Sequence, residues 1–168
     1  MFASKKQKTM SCIVFGIYAV LLVWLVLFKF SVGLSELPSM RSINWIPFHY
    51  DTETKTHLSE VLYNIAVFVP LGVGVQMFFG HWSVAKKCLP ILVTSLLLEA
   101  VQFAFAIGAS DITDLIGNTL GGLTGIGLCC VMKKAMPKKY ISAVNTLGLV
   151  IEIAAIGLLT LLLAANSK

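Results

Sequence analysis

The stretch LLLEAVQFAFAIGASDITDLIGNTLGGLTG, residues 96–125, decides the fold of this chain. Two apolar runs meet in it at a short polar corner. The polar residues that flank the corner are Glu99, Gln102, Asp111, Asp114 and Asn118. A carboxylate at membrane depth costs several kcal/mol unless it is paired or hydrated, so it indicates a functional site by default. Three acids and two amides around one corner therefore mark the candidate site.

The composition is typical of a membrane protein. Of the 168 residues, 57% are hydrophobic and only 12% are charged, and the mean hydropathy is +0.86. Soluble domains carry about 25% charged residues. The apolar runs are continuous and do not alternate with polar residues, which favours helices over a β-barrel. We therefore expect an all-α, multi-pass helix bundle in the cell membrane, with residues 1–168 forming a single domain.

Five apolar runs approach the length of about 20 residues that a membrane-spanning helix needs. They lie at about 11–30, 60–80, 88–107, 112–132 and 141–165. The first run follows three lysines, but no small-x-small cleavage site comes after it, so we expect it to remain as an anchor.

The basic residues predict the orientation. With the N-terminus in the cytoplasm, the inner segments hold Lys5, Lys6, Lys8, Lys86, Lys87, Lys133, Lys134, Lys138 and Lys139, and the outer segments hold Lys29, Arg41, Lys55 and Lys168. Because Lys and Arg favour the cytoplasmic side, we expect the N-terminus inside, the C-terminus outside and the polar corner on the outer face. The same distribution explains the net charge of +5 without a nucleic-acid partner.

The segment 31–59 is the one sizeable loop, and its middle, INWIPFHY at 43–50, is apolar and aromatic. We expect this part to dip into the outer membrane interface or to pack over the helix ends. A role as a lipid-surface anchor without ligand contact stays open.

Glu99 and Gln102 share one face of the third helix, because they are three residues apart. Glu99 precedes Ile107 by eight residues, which corresponds to about 12 Å along the helix axis. Its carboxyl group must therefore be protonated, paired or in contact with water. A buried polar pair that only fixes helix register is the alternative.

The fourth helix begins with SDITD at 110–114. Asp111 suits an N-cap, and acids in a first turn interact favourably with the helix dipole. One stripe of this helix then carries Asp114, Asn118, Gly121 and Gly125. Glycines in such a stripe let another helix approach closely, so we expect the stripe to face the bundle interior.

The second helix carries a further polar residue, Asn64, and Pro70 removes one of its backbone hydrogen bonds. Glu152 is a lone acid midway along the fifth helix, which could pair with the polar set or with a partner protein. Oxygen ligands from the three corner acids would suit Ca²⁺ or Mg²⁺, but we expect no metal site and no cofactor.

Three motifs follow one another along the chain: Asn64-x-x-x-Phe68-x-Pro70-x-Gly72, then Glu99-x-x-Gln102, then Asp111-Ile-x-Asp114-x-x-x-Asn118-x-x-Gly121-x-x-x-Gly125. Together with the NWIPF segment they resemble the VanZ-like family of small membrane proteins of Gram-positive bacteria, over about residues 43–127. Many members carry an arginine shortly before the first aspartate of the third motif. This chain has Gly108, Ala109 and Ser110 there, so the charge pair that such an arginine would form with the acids is absent.

The resemblance implies a contribution to resistance against teicoplanin-type glycopeptides. We expect the protein to bind a membrane lipid or a lipid-linked envelope component in an outward-facing cavity. The expected ligand-binding residues are Asn64, Glu99, Gln102, Asp111, Asp114 and Asn118, with structural roles for Phe68, Pro70, Gly72, Gly121 and Gly125. The alternative is an intramembrane enzyme acting on an envelope lipid or lipid-linked sugar, with Glu99, Asp111 and Asp114 as the catalytic candidates. An ion or proton pathway is disfavoured, because the polar set thins out on the cytoplasmic half. The oligomeric state stays open.

Overall fold

The computed structural model describes residues 2, 4–28, 43–48, 54–107 and 110–166. Five helices and two short strands follow one another along the chain. They are α1 (Lys5–Phe28), β1 (Ile43–Asn44), α2 (Thr54–Phe78), α3 (Val84–Phe105), β2 (Ser110–Asp111), α4 (Ile112–Ala135) and α5 (Tyr140–Asn166). All five helices are long and apolar enough to cross a membrane. The predicted all-α membrane bundle is therefore confirmed, while the orientation of its ends stays a prediction.

Each predicted apolar run corresponds to one helix, but α1, α2 and α3 begin earlier than their runs. They start at Lys5, Thr54 and Val84, because a helix continues beyond the part that is apolar enough to cross lipid. At the start of α1, the Ser4 hydroxyl accepts a hydrogen bond from the Gln7 backbone N–H at 3.1 Å. Such a side chain satisfies one of the free N–H groups of a first turn, so polar residues can begin the helix.

The bundle has two chemically different ends. At one end, which we call the motif end, α1 and α3 finish and α2 and α4 begin. At the other end, the lysine end, α2 connects to α3 and α4 connects to α5. Every lysine whose side chain the structure describes lies at or next to the lysine end.

The closest contact in the bundle joins α2 and α4. A Cβ atom added to Gly121 or Gly125 would overlap the carbonyl oxygens of Ile65 and Val69, respectively. In the other direction, a Cβ on Gly72 of α2 would overlap the carbonyl oxygen of Gly122. The two backbones therefore touch along about three turns, which only residues without a side chain allow.

The apolar core lies around α2, between the two ends. Phe68 and Ile91 have no exposed surface, and they pack with Tyr18, Leu22 and Val26 of α1 in one cluster. α2 continues through Pro70 to Phe78. One turn before the proline, the Val67 carbonyl oxygen accepts a hydrogen bond from the Tyr18 hydroxyl at 2.8 Å. This bond ties α1 to α2 inside the core.

The close contact between α2 and α4 leads to a prediction about the stability of the protein. We expect Gly125→Ala to destabilise the protein by about 1–3 kcal/mol, because the added methyl group would force two backbones apart. Gly127→Ala is the matched control, since no atom lies within 4 Å of its added Cβ. It should leave the midpoint of thermal unfolding in detergent unchanged or slightly higher. Equal midpoints for the two variants would contradict the close helix contact.

Candidate functional site

The loop before α2 is joined to the start of α4 at the motif end. β1 and β2 pair in parallel, with Ile43 opposite Ser110 and Asn44 opposite Asp111. The Asn44 side-chain amide donates to Asp111 Oδ2 at 3.1 Å, and the Phe48 backbone N–H donates to the Thr113 hydroxyl oxygen at 3.1 Å. Residues 43–48 thus pack over the helix end, as one of the two sequence interpretations expected.

The aromatic residues of this segment point away from the bundle. Trp45 is 73% exposed, and Ile46 and Phe48 are also exposed. Their position next to the membrane-spanning helices is suited to an interfacial anchor, since aromatic side chains favour the boundary between lipid and water. The remaining loop residues, including Tyr50 and His49, lie outside the described residues.

Asp111 has a structural role at the first turn of α4. It is the N-cap residue, with an extended backbone, and its Oδ1 accepts from the Thr113 backbone N–H at 2.7 Å. Its own backbone N–H donates to Glu99 Oε2 at 3.3 Å. The predicted cap is therefore present, and the same residue links α3, α4 and β1.

Glu99 is buried, with 8% of its surface exposed, so the carboxylate does not point into lipid. Besides the contact to the Asp111 N–H, the Ser110 hydroxyl donates to the backbone carbonyl of Glu99 at 3.1 Å. The polar corner therefore folds back onto the last turns of α3. A deep carboxylate is tolerated in this position because a backbone N–H donor takes the place of water.

Asp114 and Asn64 form the shortest described hydrogen bond between two side chains of the site. The Asn64 amide donates to Asp114 Oδ1 at 2.7 Å, and the exposed fractions of the two residues are 3% and 9%. They lie on α2 and α4, the two helices whose backbones touch further along at Gly121 and Gly125. The close helix approach thus brings an amide and an acid within direct reach.

The two remaining predicted residues contact different helices. Asn118 donates to the Ser95 hydroxyl oxygen at 2.8 Å, across the α3–α4 interface. Gln102 donates to the backbone carbonyl of Val26 at 3.0 Å, in the last turns of α1. Both side chains are buried, and the oxygens Asn118 Oδ1 and Gln102 Oε1 have no hydrogen-bond partner. The site thus contains two buried acceptors that an incoming donor could use.

The structure adds three residues that the sequence analysis did not assign to the site: Asn44, Ser95 and Thr113. Ser95 could have been found, because Ser95, Glu99 and Gln102 follow one another at helical spacing on one face of α3. Asn44 and Thr113 act through long-range contacts that no local pattern indicates. Within the described part of the chain, no three Asp, Glu, His or Cys side chains are placed to hold a metal ion.

Glu152 lies apart from this site. It follows Asn145 and Gly148 on the face of α5 that contacts α1, where the Ser11 hydroxyl donates to Asn145 Oδ1 at 3.0 Å. The sequence left two partners open for Glu152, the polar set at the corner or another protein. Among the described contacts, Glu152 does not pair with the polar set.

A double-mutant cycle tests the contact between Asn64 and Asp114. We expect a coupling energy of about 1–3 kcal/mol between Asn64→Ala and Asp114→Ala, because each single change leaves a buried polar partner behind. Unfolding in detergent, followed by circular dichroism, measures the four stabilities. Thr124 is an exposed α4 residue that bonds the Leu120 carbonyl of its own helix. The cycle of Asn64→Ala with Thr124→Ala should therefore be additive, and additivity in both cycles would contradict the contact.

Comparison with known proteins gives one family. The family model described as VanZ/LLP1 matches residues 15–133, which include α2, α3, all of α4 except its last two residues, and all the site residues described above. The chain is also 38% identical over 131 residues to Protein VanZ of Enterococcus faecium, an alignment that covers 77% of this chain and 79% of that protein. No solved structure matches the chain with significance. The family resemblance expected from the three motifs is confirmed: this chain belongs to the VanZ/LLP1 family.

Proposed function

We propose that this protein lowers sensitivity to teicoplanin-type glycopeptides by binding a lipid or lipid-linked component of the cell envelope at the motif end. The observation that carries the proposal is the group of buried acids and amides that α2, α3 and α4 bring together inside an otherwise apolar bundle. Its shared family with the enterococcal Protein VanZ supports the link to glycopeptide resistance. A polar group of this depth is costly to keep unless it has a function.

The motif end faces the cell exterior in this proposal. The described lysines at the opposite end favour the cytoplasm by the positive-inside rule. Glycopeptide antibiotics and the envelope components that they meet are on the outer side of the plasma membrane of Gram-positive bacteria. An outward-facing site would therefore be in the compartment where its ligand is present.

The unpartnered hydrogen-bond acceptors of the site define the chemistry of the ligand. The Val26 carbonyl can only accept a hydrogen bond, so it fixes the Gln102 amide nitrogen toward α1 and leaves Gln102 Oε1 as an unpartnered acceptor. Asn118 Oδ1 is a second unpartnered acceptor. A complementary ligand brings hydrogen-bond donors, as the hydroxyl and amide N–H groups of a lipid-linked sugar or peptide do.

Labelling in intact cells tests the orientation. In a variant without native cysteines, Trp45→Cys introduces an exposed thiol at the motif end, and Lys133→Cys introduces one at the lysine end. We expect a membrane-impermeant maleimide to label the first in intact cells and the second only after the cells are opened. The reverse pattern would contradict an outward-facing site.

Susceptibility of a sensitive Gram-positive host tests the function itself. We expect wild-type protein to raise the inhibitory concentration of teicoplanin above that of the empty vector, and Glu99→Ala and Asp114→Ala to abolish the increase. Thr124→Ala is the matched control and should behave as wild type. The amount of each variant in the membrane is measured in parallel, so that a loss of folded protein is recognised.

Glu99→Gln separates the binding function from catalysis. Glutamine keeps an oxygen that can accept from the Asp111 N–H, so a ligand-binding site should retain most of the resistance. Activity that depends on a general acid or base would instead be lost completely, because an amide neither gives up nor takes up a proton as an acid or base near neutral pH. If all variants and the wild type match the empty vector, the resistance function is wrong for this protein.

A further inference from the structure

α5 exposes its apolar residues and buries its acid. Glu152, midway along the helix, is its last buried side chain among the described residues, with 5% of its surface exposed, whereas its neighbours Ile151 and Ile153 are 53% and 68% exposed. A carboxyl group in a membrane-spanning helix turns toward the bundle interior because lipid offers it no hydrogen-bond partner, and inside the bundle it is normally paired. The position of Glu152 therefore needs a partner.

The contacts between α1 and α5 define what faces Glu152. Ser11 bonds Asn145, and a Cβ on Gly148 would lie 2.8 Å from Val14 Cγ1. The two helices therefore run parallel in a constant register. This register puts Tyr18 level with Glu152. The Tyr18 hydroxyl donates to the Val67 carbonyl, and Glu152 Oε2 has no hydrogen-bond partner.

A cavity of about 180 Å³ begins one helical turn further toward the motif end, between α1, α2 and α5. Ala155 and Leu159 line it from α5, and they follow Glu152 by three and seven residues, which places all three on one face. Trp24 and Tyr63 supply two aromatic walls. An apolar protein cavity of about 150 Å³ stays dry and can take up a benzene molecule, so this one is large enough for a ring or a short chain.

We infer that this cavity and Glu152 form a binding site for a lipophilic amine. The apolar body fills the cavity against Trp24 and Tyr63, and the nitrogen bonds Glu152 Oε2. A neutral amine that enters from the lipid takes the proton of the carboxylic acid, so an ammonium–carboxylate pair forms without net charge. The site is separate from the polar corner, and α5 lies outside the residues that the family model matches.

Ligand-induced stabilisation of the purified full-length protein in maltoside micelles tests the inference. The probe is benzylamine at pH 7, and its neutral and anionic counterparts are benzyl alcohol and phenylacetate. We expect benzylamine to raise the unfolding midpoint in a concentration-dependent manner, as binding to the folded state requires, and the other two compounds to leave it unchanged. Glu152→Gln should weaken benzylamine binding at least about tenfold, since only the ion pair is removed.

Two alanines of α5 provide a matched pair for the cavity. Ala155 lines the cavity and its neighbour Ala154 is exposed, so Ala155→Leu should abolish the benzylamine shift and Ala154→Leu should preserve it. Equal shifts with all three compounds, a benzylamine shift that survives Glu152→Gln, or no shift in the wild-type protein would each overturn the inference. The assay does not involve antibiotic susceptibility, so its outcome is independent of the proposed function.

Discussion

Direct backbone contact between α2 and α4 is the constraint on which the polar site depends. Lipid tails are as apolar as leucine side chains, so helices in a membrane associate through close packing and polar contacts. Gly121 and Gly125 let α4 approach α2 until backbone meets backbone. At this separation the short side chains of Asn64 and Asp114 reach each other, and Asp114 lies about two turns of α4 before Gly121, toward the motif end. A wider spacing would leave the carboxylate without this amide.

The polar contacts of the motif end also provide hydrogen-bond donors for backbone carbonyl groups at a helix end. The last carbonyl groups of a helix lack partners within the helix, and in lipid no water is available to replace them. In the last turns of α1, the Leu25 carbonyl accepts from the Tyr63 hydroxyl at 3.0 Å, and the Val26 carbonyl accepts from Gln102. Gln102 thereby belongs both to the packing of α1 and to the candidate site. A substitution of Gln102 would therefore disturb the packing of α1 together with the candidate site.

The sequence predicted the parts of this protein that depend on one helix at a time. Apolar length identified five spans, and helical spacing placed Asp114, Asn118 and the glycines of α4 on one interior face. The pairs that complete the site depend on how helices cross, which no single helix encodes. Asn64 with Asp114, Asn118 with Ser95 and Gln102 with Val26 became visible only in the structure. The parallel pairing of β1 with β2 joins segments more than sixty residues apart along the chain, and two residues per strand give no periodic signal.

The polar contacts end abruptly along the bundle, and this limits what the site can do. Asn118 and Ser95 form the deepest pair, and one turn further along the same two helices lie Gly122 and Ile91, which contact each other. Phe68 closes the same level from α2 without any exposed surface. An ion moving toward the lysine end would lose its polar partners at this layer and face the desolvation cost of an apolar interior. Among the described residues, the polar contacts therefore stop at an apolar layer, an arrangement that disfavours the passage of an ion through the bundle.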